Sequence, residues 1–430
     1  MIKQAFKRLW NDRRGNVIAI AGAALPIIVG AAGLATDTIQ WTLWKRQLQR
    51  AADSAAIAGV YNRESENNAS TYAELAVRHD LTLNRHMHMA LLGDPVVTFP
   101  DNEGVMRNQV HVVIKVQQSL PFSAMFMTSV PEITATARAA SIPAGGDACM
   151  EALETGTETG ITFSGNATID MPDCDLFSNA SGANTSISKG SAKVYANSVG
   201  GVGGIKESNN FFVGSYRPYS PALPNPFKNV KPDPDEMECG TGSIALSPST
   251  DFSTLGGVNC FSSLSVGSNT SMTVPDNFGP IYVNGGDATI QGTFNCKGCT
   301  IVLTNKSASN PIGNLKSNGN PDSKINITAP LSGTFKGIAI YQDPRASDCN
   351  NCNKLNGNSS SIVTGALYFP SRELEYNGSG TTSATCTMFV ARRLNFSGNS
   401  STSNKFKKLS DCSAFGLPSS ATTRMVRLVK

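Results

Sequence analysis

The sequence predicts an N-terminal transmembrane α-helix that continues into a small α+β domain, followed by a C-terminal all-β domain built as a parallel β-helix. Three observations predict this. Val17 to Ala35 is an unbroken run without a charged or polar side chain, and at 1.5 Å per residue it spans about 28 Å, close to the hydrocarbon core of a bilayer. Helical spacing of apolar residues then continues well past that run. Beyond residue 143 the pattern changes to short alternating runs that echo one another at intervals of roughly 20 to 25 residues, the mark of a stacked repeat.

In chain order, residues 1–15 form a basic head carrying Lys3, Lys7, Arg8, Arg13 and Arg14, which places the N-terminus on the cytoplasmic side. Residues 16–60 form the transmembrane and juxtamembrane helix. The apolar run is longer than a cleavable signal, its Ala-x-Ala-like triplets lie inside it, and the pattern does not stop at the membrane, so a retained anchor is the better reading. Trp41, Trp44, Leu48, Ala51, Ala52, Ala55 and Gly59 keep i, i+3, i+4 spacing. Pro26 sits mid-membrane and should kink the helix. Gly22, Gly30 and Gly33 leave smooth faces suited to packing another helix. Asp37, just past the apolar run, reads first as a solvated interfacial acid and second as a pairing site for a neighbour's Lys or Arg.

Residues 61–143 make the small α+β domain. Glu64 to Gly93 reads as an amphipathic helical stretch with Tyr72, Leu75, Ala76 and Leu83 as its apolar side. Pro95 to Phe99 is a short strand candidate. Val110, Val112, Ile114 and Val116 alternate as in a half-buried strand, Leu120 to Met127 is an apolar turn, and Ile133 to Ile142 is another strand.

Residues 144–430 are rich in Gly, Ser, Thr and Asn. Ser164-Gly165-Asn166-Ala167 is echoed by Lys189-Gly190-Ser191-Ala192, and Leu374-x-Tyr376-x-Gly378 by Leu394-x-Phe396-x-Gly398. A β-sandwich would give similar strands but no reason for the echoes, so the β-helix is preferred. Residues 216–238 contain six prolines and should form an extended segment crossing between two β-helical parts.

The 430 residues carry a net charge of +4 with 16% charged residues, which argues against a nucleic-acid partner. All four histidines (His79, His86, His88, His111) lie within the first 111 residues, so the large domain cannot build a His-based nucleophile site by itself. No catalytic residue and no cofactor is assigned. Asp170, Asp173 and Asp175 read as turn chemistry, and Asp233, Asp235, Glu236 and Glu238 as a solvated acidic loop. The basic tail (Lys405, Lys407, Lys408, Arg424, Arg427, Lys430) reads as a solvated end cap, with contact to anionic envelope polysaccharide as the alternative. Ten cysteines, Cys149, Cys174, Cys239, Cys260, Cys296, Cys299, Cys349, Cys352, Cys386 and Cys412, all follow the proposed anchor, which fits disulfides in an oxidising compartment. Cys149–Cys174, Cys239–Cys260 and Cys386–Cys412 are the first pairings to try. The two Cys-x-x-Cys motifs at 296 and 349 are better read as disulfides than as a zinc or redox site.

Asp12-Arg13-Arg14-Gly15-Asn16, Leu25-Pro26, Gly33-Leu34-Ala35-x-Asp37 and Leu48-Gln49-x-Ala51-Ala52-Asp53-x-Ala55-Ala56-x-Ala58-Gly59 together resemble the TadE/TadG-like proteins of tight-adherence (Flp) pilus systems. More weakly, Pro330-Leu331-Ser332-Gly333, Tyr341-Gln342-Asp343 and Gly365-Ala366-Leu367-Tyr368-Phe369-Pro370 resemble the β-helical region of some TadG-like proteins. The resemblance implies a non-enzymatic protein of the Gram-negative inner membrane, with the bulk of the chain periplasmic or surface-directed. It implies partnership with other Tad/Flp assembly proteins and a contribution to adhesion and biofilm formation. A membrane-tethered polysaccharide-active enzyme and a surface adhesin are the alternatives. Two family features are missing. No Asp-x-Ser-x-Ser metal loop occurs, and the fifth residue after Gly15 is Ile20 where a processed minor pilin carries Glu.

Overall fold

A single long helix, α1 (Asn16–Ser65), runs through Pro26 without a break. Gly33 and Asp37 are buried at isolated points, and a continuous buried side starts at Leu48 and runs through Ala51, Ala52, Ala55, Ala56 and Val60. These residues are small because a second helix, α2 (Ser70–Asn84), lies close against them. A Cβ at Gly59 would come within 2.9 Å of both Val77 and Val110, so glycine is what lets α2 and the sheet approach α1 together. This is a computed structural model, and it describes residues 16–65, 69–84, 89–240, 244–307, 311–317, 323–356, 361–377, 381–384, 386–399, 401–404, 409–417 and 422–429. The basic head at 1–15, His86, His88, Lys405, Lys407, Lys408 and Lys430 lie outside the described residues.

The chain forms two compact units, Met1–Ile142 with Val426–Lys430, and Pro143–Met425. In the first, β1 (Val96–Thr98), β2 (Arg107–Gln117) and β3 (Glu132–Ala152) pair antiparallel. Val110, Val112, Ile114 and Val116 are buried opposite Ala139, Ala137, Ala135 and Ile133. The apolar side expected for α2 is corrected. Tyr72, Leu75 and Leu83 are exposed, and Ala73, Val77 and Leu81 are buried. Ala73, Val77 and Leu81 recur every four residues and so share one face of α2, and Val77 of that face meets α1 at Gly59.

The second unit is β-rich. Among its described residues, strands pair in parallel along three ladders, each strand meeting one from the next turn of chain. The echoes seen in the sequence are neighbours here. Leu374 pairs with Leu394 and Tyr376 with Phe396. Gly398, Gly165 and Gly190 form a column of turns with φ of 70°, 67° and 66°, joined by Asn166 N–H to Gly398 O at 2.8 Å and Ser191 N–H to Gly165 O at 2.9 Å. A Cβ at Gly165 would lie 2.9 Å from Gly398 O, so this turn needs glycine for both its backbone angle and its close stacking.

One line of residues traces the first ladder from end to end: Cys260, Tyr282, Val302, Tyr341, Tyr368, Val390, Glu151, Phe177, Gly200 and Arg217. The order in space is not the order in sequence. The chain enters in the middle at Glu151, advances to Arg217, returns to the opposite end at Cys260, and then advances until Thr387–Phe396 docks beside β3. The proline-rich segment 216–238 makes the return. It is pinned by Asn179 Oδ1 accepting from Leu223 N–H at 2.9 Å, Asn225 Nδ2 donating to the Tyr368 hydroxyl at 2.9 Å, and the Tyr341 hydroxyl donating to Val230 O at 2.8 Å. Proline suits this path because an extended crossing segment has no use for ladder N–H groups. Where the two parts meet, Phe163 stacks on Phe396 with centroids 5.4 Å apart.

Candidate interaction site on the long helix

Gly22, Pro26, Gly30, Gly33 and Asp37 follow one another at i+4, i+4, i+3 and i+4, which puts them on one face of α1. Around this stripe Ile20, Leu25, Ile27, Ile28, Val29 and Leu34 are exposed, from 50% to 73%. A helix this apolar and uncovered does not belong in water, and α1 has one segment long and apolar enough to cross a membrane, within Ile20–Glu64. Hydroxyl groups past the apolar run are satisfied by the helix itself. Thr36 donates to Gly33 O at 2.7 Å, Thr38 to Leu34 O at 2.8 Å and Thr42 to Thr38 O at 2.7 Å.

The stripe divides into two parts. Cβ atoms added at Gly22 or Gly30 would meet nothing within 4 Å, so this part is open to another helix. Gly33 is covered by the chain's own Phe122, whose ring would lie 2.3 Å from an added Cβ. Asp37 is 3% exposed. Its carboxylate accepts from the Ser123 backbone N–H at the start of a short 3-10 turn, Ser123–Met125. Asp37 is therefore not a solvated interfacial acid. It fixes the β2–β3 connection against α1. Sequence reasoning treated Leu120 to Met127 as a turn and did not connect it with Asp37. The signal was there in an apolar turn with no element of its own to pack against.

In the second unit the cysteines pair as Cys149–Cys174, Cys239–Cys260, Cys296–Cys299, Cys349–Cys352 and Cys386–Cys412. The two Cys-x-x-Cys motifs close on themselves and do not share a centre. No group of metal-ligating side chains occurs among the described residues. In the acidic loop Asp233 caps the turn at Pro234–Glu236, and Glu236 accepts from the Tyr282 hydroxyl at 3.4 Å. Asp170 and Asp173 are exposed, whereas Asp175 is buried and takes Arg217 at 3.2 Å and Asn197 at 2.7 Å, so the three acids do not converge.

Two of the clefts among the described residues of this unit have volumes of about 340 Å³ each. One lies beside the return segment and is lined by Lys231, Lys306, Tyr341, Asp343 and Arg345. Asp343 is held by Arg345 at 2.7 Å, leaving the two lysines as its surplus charge. The other lies where Thr387–Phe396 meets β3. There Glu154 pairs with Arg392 and Arg393, both at 2.7 Å, and Asp348 with the same two arginines at 2.9 and 2.7 Å. Burial alone would raise the Glu154 pKa. The Arg392 guanidinium, the Gly156 N–H and Arg393 outweigh it and hold the group below the usual carboxylate range. A carboxylate so paired is a poor proton donor at neutral pH. Glu151 is the opposite case. It is fully buried, neither carboxylate oxygen has a hydrogen-bond partner among the described residues, and burial pushes its pKa up to about 8.

Residues 15–63 match the family model described as putative Flp pilus-assembly TadE/G-like. No curated protein matches the chain, and no solved structure does.

Proposed function

We propose that this is a non-enzymatic envelope protein of Flp/Tad pilus assembly, held in the inner membrane by α1 with its N-terminus cytoplasmic. The carrying observation is the coincidence of three features on α1. Residues 15–63 match the pilus-assembly family model, the same helix has an uncovered apolar segment, and the open Gly22–Pro26–Gly30 face lies on that segment. The match supports a pilus-related role. The open face is where we place contact with another membrane component of the assembly. The parallel ladders and the in-register echoes support reading the second unit as a parallel β-helix, a rigid periplasmic or surface-directed flank for protein contact. The ion-paired carboxylate of Glu154 favours this scaffold role over glycoside cleavage, which needs one accessible carboxyl group kept protonated, and Glu151, whose pKa is raised, is fully buried. Adhesion, biofilm formation and contact of envelope polysaccharide with the Lys231/Lys306 cleft belong to the same proposal.

Photo-crosslinkers placed at Gly22 and Gly30 in native membranes test it. Crosslinks to other pilus-assembly membrane proteins are expected. Crosslinks to lipid alone would remove the partner face from the account.

A further inference from the structure

The β2–β3 hairpin is laid along α1 in the opposite direction to the helix. Val110 sits beside Gly59, Gln49 Nε2 donates to Thr136 O at 2.8 Å, and the tip reaches Gly33 and Asp37 through Phe122 and Ser123. The tip is thereby delivered to the level where the apolar run of α1 ends. It is itself apolar. Residues 118–131 (QSLPFSAMFMTSVP) carry no charge. Met125 and Phe126 are 76% and 77% exposed, and Phe122, Met127 and Val130 are each exposed by more than a third. Hairpin connections facing water are ordinarily built from Gly, Asn, Asp and Ser, and a cluster of exposed aromatic and methionine side chains marks an interaction surface. Along the hairpin itself the nearest charges lie behind the tip, in the Lys115–Glu132 pair at 2.7 Å, and the Asp37 carboxylate that meets the tip from α1 is buried beneath it.

We propose that the tip, residues 120–130, is a second membrane contact, inserted into the interfacial region of the bilayer leaflet into which α1 emerges. This rests on the reading of α1 as a membrane span. Three features commit the occupant to lipid. The tip meets α1 at Gly33 and Asp37, the level at which α1 still exposes apolar Leu34 and Ile39. It has no charge to select a charged partner. It is clamped at bilayer depth by the buried Asp37, not left free to sample other surfaces. Aromatic and methionine side chains favour this zone, where an apolar body meets headgroups. The consequence is orientational: one helix fixes position across a bilayer but not rotation about its own axis, and a second contact on one side of α1 fixes both.

The test uses the full chain in phosphatidylcholine nanodiscs. Its cysteines are all disulfide-bonded, so a single introduced thiol can carry an environment-sensitive NBD probe. Phe126→Cys and Met125→Cys report the tip and Ile27→Cys reports the span. Tyr72→Cys on α2 is the control, since that helix packs around Gly59, which lies about 33 Å along α1 from Asp37. Lipids spin-labelled near the headgroup should quench the probe at 125 and 126 several-fold more than at 72, with blue-shifted emission, and anionic lipid or added salt should change neither. Quenching at 27 with water-like, unquenched emission at 125 and 126 would overturn the tip proposal alone. Loss of quenching at 27 as well would overturn the span and the tip with it. Shielding of 125 and 126 that appears only when other pilus-assembly membrane proteins are added would make the occupant a protein and overturn the lipid assignment.

Discussion

Glu151 should make the β-rich unit less stable as pH rises, and Glu151→Gln should remove that dependence. The residue sits in the first ladder between Val390 and Phe177, fully buried, with unpartnered oxygens and a pKa raised from 4.5 to about 8. Its charge also acts on the neighbouring Tyr368, whose pKa is pushed up to about 12, first by burial and in part by Glu151. In the unfolded chain the carboxyl group loses its proton near 4.5, and in the folded chain it keeps it until about 8. The folded state therefore binds the proton more tightly. Stability is fully present below pH 4.5 and is lost as pH rises toward and through 8. The difference of about 3.5 pKa units corresponds to about 5 kcal/mol across the whole window, and about 3 kcal/mol of it is lost by pH 7. Glutamine keeps the volume and cannot ionise. Urea unfolding of the full chain, followed by the β signal in circular dichroism from pH 4 to 9, gives the answer. Wild type and E151Q should agree near pH 4 and diverge by about 3 kcal/mol at pH 7, with the variant more stable. Parallel curves over the whole range would refute the reasoning, because a solvated or hydrogen-bonded Glu151 would lose no stability on ionising.

Arg393→Met should cost about 3–5 kcal/mol in the same assay, because Glu154 is left buried with one of its two guanidinium partners gone. Adding Glu154→Gln should recover part of that loss. Gly200→Val should destabilise the unit by about 1–3 kcal/mol, since even a Cβ there would come within 2.6 Å of the Phe177 ring. Asn225→Ala should cost about 1 kcal/mol by removing the donor to the Tyr368 hydroxyl, with faster protease cutting of the return segment as its second sign. Alkaline phosphatase fused after Ile142 should be active in the native host, because the proposed topology places that point outside the cytoplasm; an inactive, stable fusion would reverse the orientation.

Much of the fold was legible because it depends on local pattern. The uncharged run at 17–35, the alternation from Val110 to Val116 and the echoed turns at Gly165 and Gly190 each follow from which side chains face one way. What the sequence could not reveal is the order of strands in space. Parallel pairing of Phe389 with Met150 joins residues more than two hundred positions apart, and nothing in either strand specifies the other beyond an apolar face. The proline count marked 216–238 as a crossing, yet not that it returns to the opposite end of the ladder. The contact between Asp37 and the β2–β3 connection is hidden for a similar reason. The partner of Asp37, the Ser123 N–H, is a backbone group that every residue but proline possesses, so no side-chain pattern announces it. The apolar side of α2 differs from the expected one because apolar residues occur around the whole helix, and only the contact with α1 decides that Ala73, Val77 and Leu81 face inward.

The central claim, that this chain serves pilus assembly from the membrane, is tested most directly by an in-frame deletion in the native host. The strain is complemented with full-length protein or with residues 1–143, and surface pili are counted by electron microscopy. Loss of pili in the deletion strain, restored by the full-length chain, is the expected result. Restoration by residues 1–143 alone would confine the assembly role to the anchor unit and leave the β-rich unit a separate task. A deletion strain with normal pili would contradict the claim.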